Sequence, residues 1–123
     1  MYVYRCKILR VVDGDTIDVE IDLGFSVKVK ERVRLANIDT PEMFGPNATP
    51  EGKAATEFVR QWVEEKTSQP GFFMYHSLKY DRKDKYGRAL GEIVHLSVDG
   101  ECFLCDDLKA NGHIKQKDLF CEE

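Results

Sequence analysis

Two short acidic segments are the first candidates for chemistry in this sequence. Residues 13–16 read Asp-Gly-Asp-Thr, and residues 39–42 read Asp-Thr-Pro-Glu. Taken singly, the first segment is typical of a hairpin turn and the second of an Asx turn leading into a loop. Taken together, they supply hard oxygen atoms of the kind that Ca²⁺ and Mg²⁺ prefer in proteins.

The strands predicted around these segments allow their carboxylates to meet. Asp15 begins one predicted strand and Asp39 ends its neighbour, so antiparallel pairing brings both side chains to one end of the sheet. Pro41 lacks an N–H and favours an extended conformation at the preceding residue, which leaves the Thr40 carbonyl available as a third oxygen ligand. Glu42 is close enough in sequence to act on a metal-bound or nearby water.

Two arginines complete a possible phosphate site. Arg34 lies five residues before Asp39, and Arg88 opens a later predicted strand. A lone arginine is most often a solvated surface charge. The guanidinium group is also a planar fork that matches a phosphate with two hydrogen bonds. Carboxylates for a metal, arginines for a phosphate and one carboxylate for a proton are what metal-assisted phosphodiester chemistry needs.

Apolar periodicity predicts the elements that must position these groups. Period-two alternation and β-rich composition predict strands over residues 2–12, 16–23, 27–35, 72–78 and 88–96. A Thr-Pro-Glu start and an apolar stripe predict a helix from residue 49 to residue 66. A short helix is predicted over residues 103–111, with Gly112 as its C-terminal cap. This order suits an α+β, mainly β fold, a five-stranded barrel of the oligonucleotide/oligosaccharide-binding type with two helices.

The third predicted strand has one strongly basic face. Its apolar residues alternate with four cations, which places Arg34 on the face away from the core. Glu31 interrupts the apolar side of the same strand. The other three cations either steer a nucleic-acid backbone or solvate an edge strand, and the sequence leaves both interpretations open. They are Lys28, Lys30 and Arg32.

Length and composition restrict the class of protein. The chain has 123 residues, which predicts one domain over residues 1–123. An apolar share of 42% with a charged share of 33% does not fit a disordered chain. No apolar run approaches the length of about 20 residues that a membrane span needs. The net charge of −4 argues against a purely electrostatic nucleic-acid binder, so any such role depends on locally placed cations.

Cysteine usage and the N-terminal sequence predict a reducing compartment. No apolar segment follows Met1, so no export signal is expected and the protein is predicted to be cytoplasmic. The four cysteines are then expected to be reduced. Cys102 and Cys105 have the spacing of half a zinc knuckle, but no second ligand pair is convincing, so structural or surface thiols are expected.

Three segments together resemble the signature segments of the staphylococcal nuclease (thermonuclease) family. They are residues 11–16, residues 34–42 and residues 84–88, the last reading Asp-Lys-Tyr-Gly-Arg. They occur in the family's order with similar separations, and the resemblance runs from about residue 7 to Gly112. It implies a barrel of the type predicted above and a Ca²⁺-dependent phosphodiesterase that cuts DNA, RNA or both and leaves 3′-phosphate ends.

The resemblance also implies roles for individual residues. Asp15 and Asp39 would bind Ca²⁺ through their carboxylates and Thr40 through its carbonyl, while Glu42 would be the general base.

The resemblance also gives roles to the residues around the metal. Arg34 and Arg88 would bind the phosphate that is cut. Lys85 and Tyr86 would hold a neighbouring phosphate and sugar. The Asp13 carboxylate would support the metal indirectly.

The chain departs from the family pattern near its end. The family usually has a third helix and an aromatic side chain beside the base, whereas eleven residues follow Gly112 here and the aligned aromatic position falls near Asp118. We therefore expect the third helix to be missing. Leu119 and Phe120, or a partner chain, are expected to cover the core surface, which predicts a monomer or a weak oligomer through this region.

Two other function classes compete with a nuclease. A non-catalytic nucleic-acid or protein binding module of the same fold usually lacks the carboxylates or the arginines, and this chain has both. A structural Ca²⁺ motif is the other alternative, but two carboxylates and one carbonyl are few ligands for a cation that takes six to eight oxygen atoms. A cytoplasmic nuclease would endanger its host, so a phage or mobile-element origin is also expected.

Overall fold

The computed structural model describes residues 2–36, 38, 40, 49–77 and 88–113. In this part of the chain six strands and two helices are present. In chain order they are β1 (Tyr2–Asp13), β2 (Thr16–Gly24), β3 (Val27–Leu35), α1 (Pro50–Thr67), β4 (Phe72–Ser77), β5 (Ala89–Ser97), β6 (Gly100–Phe103) and α2 (Leu104–Ala110).

Five of these strands close into a barrel. β1 pairs antiparallel with β2 and β4, β2 with β3, and β4 with β5. A short parallel pairing of β3 with β5, which joins Val33 to Ala89 and Leu35 to Gly91, completes the circle. The predicted fold, a mainly β five-stranded barrel with two helices, is therefore confirmed.

The short strand β6 is an addition that the sequence did not predict. It pairs with the end of β5 through a tight turn in which Gly100 has a φ of +122°. The sequence predicts a turn at Asp99-Gly100 and a second helix from Phe103. Phe103 instead ends β6 opposite Val94, so α2 begins one residue later, at Leu104.

The core follows the alternation of the strands. The inward-facing residues of β2 from Ile17 to Ile21 and the last two of β3 are almost completely buried, and α1 covers the barrel with Ala55, Val59 and Trp62. Trp62 also donates a hydrogen bond from Nε1 to Asp107 Oδ2 at 2.7 Å, which ties α1 to α2. The inward strand residues include Ile17, Val19, Ile21, Val33, Leu35 and Ile93.

The ends of both helices agree with their sequence signals. Thr49 is the N-cap of α1, its Oγ1 accepts the Gly52 N–H at 3.1 Å, and Pro50 occupies the first helical position. α2 is followed by Gly112 with a φ of +75°. The Gly112 N–H donates to the Lys109 carbonyl and the His113 N–H to the Leu108 carbonyl, the paired bonds of a Schellman motif.

Three cysteines fall in the described residues, and all three are free thiols. Cys6 and Cys105 are buried, while Cys102 is half-buried. Burial raises the pKa of Cys6 to about 12 and also raises the pKa of Cys105, so both thiols stay protonated at neutral pH. These two side chains therefore act as small core residues.

Several predictions fall outside the described residues. They concern Leu78, the last residue of the fourth predicted strand, and everything after His113, including Cys121 and the expected absence of a third helix. Among the helices that the structure describes, neither combines the length and apolar character needed to cross a membrane.

Candidate active site

The turn between β1 and β2 carries Asp15 to one end of the barrel. Asp13 pairs with Thr16, which leaves Gly14 and Asp15 as the two turn residues. The Asp15 carbonyl accepts the Leu35 N–H at 2.8 Å, so the turn is fixed to the end of β3. The predicted meeting of the Asp15 and Asp39 carboxylates stays a prediction, because Asp39 lies outside the described residues.

The Asp15 carboxylate is buried among hydrogen-bond donors. The residue is 8% exposed. Its Oδ1 accepts the Thr16 hydroxyl at 3.1 Å, and its Oδ2 accepts the Thr40 N–H at 3.2 Å. Arg34 Nη2 lies 3.5 Å from the same Oδ2. A buried carboxylate needs such partners, and here they come from three different segments of the chain.

Arg34 is held in place from its other side. Its Nη1 donates hydrogen bonds to the carbonyl oxygen atoms of Leu35 and of Ile38, the latter at 2.7 Å. Although Arg34 is on the outward face of β3, as predicted, its side chain is only 19% exposed. The guanidinium therefore has a defined position beside Asp15 rather than a freely moving surface position.

Asp13 connects the turn to α1. Its Oδ1 accepts the Gly14 N–H at 2.8 Å and lies 3.2 Å from the Thr56 hydroxyl oxygen. Asp13 thus orients the turn against the helix. Its predicted indirect support of a metal stays a prediction.

Gly14 is required by close packing. A Cβ atom at this position would lie 2.7 Å from Thr40 Oγ1 and 3.0 Å from the Ala55 Cβ. Any other residue would push Thr40 and α1 away from the turn. The glycine therefore helps to set the position of the Thr40 N–H that binds Asp15.

The Thr40 hydroxyl is unusual. The residue is 1% exposed, and its Oγ1 has no hydrogen-bond partner among the residues that the structure describes. Buried hydroxyl groups are nearly always paired with protein, water or an ion. The Thr40 hydroxyl is therefore a buried polar group without a described partner, and it belongs to the residue whose N–H binds Asp15.

Arg88 approaches the same region from β5. It directly precedes Ala89, which pairs with Val33, and Leu90 is opposite Arg34. Arg88 therefore directly precedes the strand that pairs with the end of β3, and its predicted phosphate role stays a prediction.

Four predicted site residues lie outside the described residues. They are Asp39, Glu42, Lys85 and Tyr86, and their roles stay predictions. Within the described ranges, no group of three His, Cys, Asp or Glu side chains is arranged to hold a metal ion. Two of the three predicted metal ligands are described, the carboxylate of Asp15 and the carbonyl of Thr40, and both offer oxygen atoms of the type that Ca²⁺ binds.

The predicted basic face of β3 is less basic than its sequence indicates. Each of its three outer cations is opposite an acid of β2, and one of these pairs is a bidentate ion pair. Asp18 Oδ1 is 2.8 Å from Arg32 Nε, and this hydrogen bond raises the pKa of Arg32. Arg34 differs, since it is opposite Thr16 and turns to Asp15. The other two pairs are Glu20 with Lys30 and Asp22 with Lys28.

Two hydroxyl groups that the sequence did not predict support the carboxylates. The Thr16 hydroxyl donates a hydrogen bond to the Asp15 carboxylate, and the Thr56 hydroxyl donates one to the Asp13 carboxylate. Both threonines are buried. A weak signal existed for Thr56, because it adjoins the apolar stripe of α1 beside Ala55. No sequence pattern indicates which carboxylate such a hydroxyl meets, since the two residues are 43 positions apart.

Comparisons with known proteins agree with this geometry. A family model described as "Staphylococcal nuclease homologue" matches residues 32–104. The chain is 41% identical over 88 residues to a thermonuclease of Staphylococcus intermedius and 34% identical over 91 residues to a thermonuclease of Staphylococcus hyicus. It is also 33% identical over 90 residues to a micrococcal nuclease of Shigella flexneri.

The matched region is most of this chain but less than half of each relative. The alignments cover 68%, 71% and 73% of this chain and 45%, 46% and 42% of the relatives, in the order given. Because the family model covers more than half of its length, the chain belongs to the family of staphylococcal nuclease homologues. The resemblance inferred from the three sequence segments is confirmed.

Proposed function

We propose that this protein is a Ca²⁺-dependent nuclease that hydrolyses phosphodiester bonds of DNA, RNA or both. The observation that carries the proposal is the buried pairing of Asp15 with Arg34, which holds a hard-oxygen ligand and a phosphate-binding cation 3.5 Å apart. The names of its relatives, thermonuclease and micrococcal nuclease, support the same activity.

The residues present fit a hard divalent cation. Asp15 offers carboxylate oxygen atoms, and the Thr40 hydroxyl beside it has no partner among the described residues. Asp15, Asp39 and the carbonyl of Thr40 would hold Ca²⁺, and waters and substrate would fill the remaining positions. When bound, Ca²⁺ supplies positive charge that neutralises the phosphate and the charge that develops on it.

The two arginines would bind the phosphate that is cut. Arg34 is anchored through Nη1 by two main-chain carbonyls, so its orientation is fixed before substrate binds. Such preorganised donors stabilise developing negative charge without a cost of reorganisation during the reaction. Arg88, directly before the adjacent strand β5, would bind the same phosphate near the leaving oxygen atom.

Glu42 would act as the general base. A water oxygen attacks phosphorus and forms a new P–O bond while Glu42 accepts the proton that this water loses. The P–O5′ bond breaks, and the leaving 5′ oxygen atom takes up a proton from solvent water. The products would be one fragment that ends in a 3′-phosphate and one that begins with a 5′-hydroxyl, with Lys85 and Tyr86 holding the neighbouring nucleotide.

A cleavage assay tests the proposal. A fluorescent single-stranded oligonucleotide is incubated with the protein in Ca²⁺, in Mg²⁺ and in chelator, beside the Glu42→Gln variant and a Glu57→Gln control on the outer surface of α1. We expect Ca²⁺-dependent cleavage that falls at least about 100-fold in Glu42→Gln. A folded protein that binds the oligonucleotide without cutting it would instead support a binding module.

A further inference from the structure

The outer surface of β1, β2 and β3 carries charges that the proposed reaction does not use. Its acids lie on β2, between a row of cations on β1 and a second row on β3. Glu20, for example, is opposite Lys7 on one side and opposite Lys30 on the other. We call the nine residues of this surface the outer charged face. They are Arg5, Lys7 and Arg10 of β1, Asp18, Glu20 and Asp22 of β2, and Lys28, Lys30 and Arg32 of β3.

The charge of this face is opposite to that of the whole protein. The face has six cations and three acids and therefore a net charge of +3, whereas the chain as a whole has a net charge of −4. The rest of the chain therefore carries −7. Segregation of charge on this scale steers an anionic partner to one surface, even though the total charge is negative.

Four of the cations are outside the ion pairs of the described residues. Arg32 is bound by Asp18 at 2.8 Å, and the Arg5 guanidinium lies 4.3 Å from the centre of the Phe72 ring. The cations with no ion pair in the described part of the chain are Lys7, Arg10, Lys28 and Lys30. These four side chains are available to bind an anion.

The cations also extend farther from the sheet than the acids. All six cations are exposed, whereas Asp18 and Glu20 are half-buried between their neighbours. Asp22 is exposed, but its carboxylate accepts the Gly24 N–H at 2.8 Å. Strand side chains stand roughly perpendicular to a sheet, and lysine and arginine side chains are longer than those of aspartate and glutamate. The outermost layer of the face is therefore positive.

The β3 row of cations leads to the candidate active site. Lys28, Lys30 and Arg32 occupy every second position on the outward side of β3, and Arg34 is the next residue of that series. Strand residues rise about 3.4 Å each, so neighbours in this row are about 7 Å apart and Lys28 is about 20 Å from Arg34. The phosphates of an extended nucleic-acid strand have a similar spacing. A strand with one phosphate on Arg34 can therefore place its next phosphates along β3.

We propose that the outer charged face binds the phosphate backbone of the substrate strand beyond the cut, over about three nucleotides on one side of it. This proposal rests on the proposed nuclease function, because it assigns the face to the same nucleic acid. Contacts with phosphates carry no base information, so the face adds affinity and not sequence preference. The face does not touch the phosphate that is cut, so it acts on KM and not on kcat.

Binding measured in chelator tests the proposal without any cleavage. A fluorescein-labelled thymidine octanucleotide is titrated with the protein, and fluorescence anisotropy gives the Kd from about 50 to about 200 mM NaCl. The test variant combines Lys28→Gln with Lys30→Gln. We expect it to weaken binding about tenfold at the lowest salt and to reduce the slope of log Kd against log salt by about 1.4, which is about 0.7 for each lost phosphate contact.

Two control variants connect this loss to the face. Arg60→Gln with Lys109→Gln makes the same change of net charge at exposed positions of α1 and α2, and it is expected to bind the octanucleotide like the native protein. Lys28→Arg with Lys30→Arg keeps the charge of the face and is also expected to bind like the native protein. Equal weakening by the two neutralising variants, or no measurable binding by the native protein at low salt, would overturn the proposal.

An anionic membrane is the competing partner for a positive surface. The native protein and the Lys28→Gln, Lys30→Gln variant are therefore also sedimented with phosphatidylserine vesicles. No sedimentation beyond that of the Arg60→Gln, Lys109→Gln control is expected. Vesicle binding that needs the two lysines, in a protein whose octanucleotide affinity does not need them, would overturn the proposal in favour of a lipid surface.

Cleavage kinetics separate this inference from the proposed function. The Lys28→Gln, Lys30→Gln variant is expected to raise KM for the octanucleotide about tenfold and to leave kcat unchanged. Octanucleotide binding that needs these lysines in a protein that does not cut would support the face and refute the nuclease. Cutting with a KM and a salt dependence that the variant leaves unchanged would support the nuclease and refute the face.

Discussion

Asp15 and Arg34 are adjacent at the end of the β2–β3 hairpin, with Oδ2 and Nη2 3.5 Å apart. Each residue is also bound to the segment that follows β3, Asp15 through the Thr40 N–H and Arg34 through the Ile38 carbonyl. The pair therefore fixes the main chain at Ile38 and at Thr40, which belongs to the second acidic segment. Both side chains are mostly buried, so removing one leaves the other charge poorly compensated.

The first prediction concerns the carboxylate of this pair. Asp15→Asn keeps an oxygen atom that can accept the Thr40 N–H, but it removes the negative charge that would bind Ca²⁺. We expect the rate of oligonucleotide cleavage at saturating Ca²⁺ to fall about 100-fold or more, the scale of losing a main electrostatic group. The initial rate of oligonucleotide cleavage, measured over a range of Ca²⁺ concentrations, gives this loss.

Asp18→Asn is the control for the first prediction. Asp18 is on β2, three residues after Asp15, but it faces outward and pairs with Arg32 at 2.8 Å, and exposed pairs of this kind contribute at most about 1 kcal/mol to stability. Its cleavage rate is expected to match that of the native protein. Equal cleavage by the two variants would contradict the role of Asp15.

The second prediction concerns Gly14. Gly14→Ala would place a Cβ atom 2.7 Å from Thr40 Oγ1 and 3.0 Å from the Ala55 Cβ, so the turn or these side chains must shift. We expect the free energy of unfolding to fall by about 1–3 kcal/mol, as in other overpacked sites. Urea denaturation followed by circular dichroism measures the change, and cleavage is expected to fall with it.

A double variant identifies the cause of that loss. Thr40→Ala removes the nearest clashing atom, a hydroxyl with no partner among the described residues. Gly14→Ala combined with Thr40→Ala is therefore expected to be more stable than Gly14→Ala alone. If the double variant unfolds at lower urea than the single variant, contact with Thr40 does not explain the need for glycine.

The third prediction concerns Glu92, which is away from the candidate site. Its Oε1 accepts the N–H groups of Ile93 and Cys105. Burial raises the pKa of Glu92, and the nearby Asp106 adds to this shift, while those hydrogen bonds oppose it. A raised pKa means that the folded protein holds this proton more tightly than the unfolded chain. Its contribution to stability is therefore complete below the ordinary pKa and is lost as the pH rises through the folded-state pKa.

Glu92→Gln removes this titration and keeps an oxygen atom that accepts both N–H groups. We expect the melting temperature of the variant to exceed that of the native protein at pH 7–8 and the difference to shrink towards pH 4. Calorimetry across this range measures the difference, with Glu101→Gln on the exposed face of β6 as the control. A difference that grows as the pH falls would have the wrong sign for a raised pKa.

Local sequence patterns predicted most of the barrel. The alternation in β2 and β3 determines which side chains enter the core, and the Thr49-Pro50 signal places the start of α1. β6 was missed because four residues with one tight turn show too little periodicity to distinguish a strand from a loop. Its existence depends on pairing with β5, which is a tertiary contact.

The candidate site was predictable in its residue types but not in its contacts. The spacing of acids and arginines indicated phosphate chemistry, and the end of β3 does lie beside Asp15. The third strand looks basic in the sequence, but the sequence of one strand does not show which residues are its cross-strand partners. The register places an acid of β2 opposite each outer cation, for example Glu20 opposite Lys30. The same limit applies to Thr56, whose contact with Asp13 depends on how α1 packs.

The fourth prediction concerns the turn between β2 and β3. Phe25 and Ser26 connect Gly24 to Val27 and have φ angles of 54° and 64°. Left-handed conformations cost residues other than glycine about 1–2 kcal/mol each, and Asn-Gly is the preferred pair in such two-residue turns. Phe25 is fully exposed, so replacing it removes no packing. Phe25→Asn with Ser26→Gly should therefore raise the free energy of unfolding by about 1 kcal/mol, or the melting temperature by roughly 4 °C.

Phe25→Val is the control for this prediction. It places a β-branched residue at the same φ and should lower the melting temperature. Thermal unfolding of the three proteins checks both signs, and a Val variant as stable as the Asn-Gly variant would show that the turn is not strained. The turn is nine strand residues, or about 30 Å, from Asp15, so cleavage should be the same in all three.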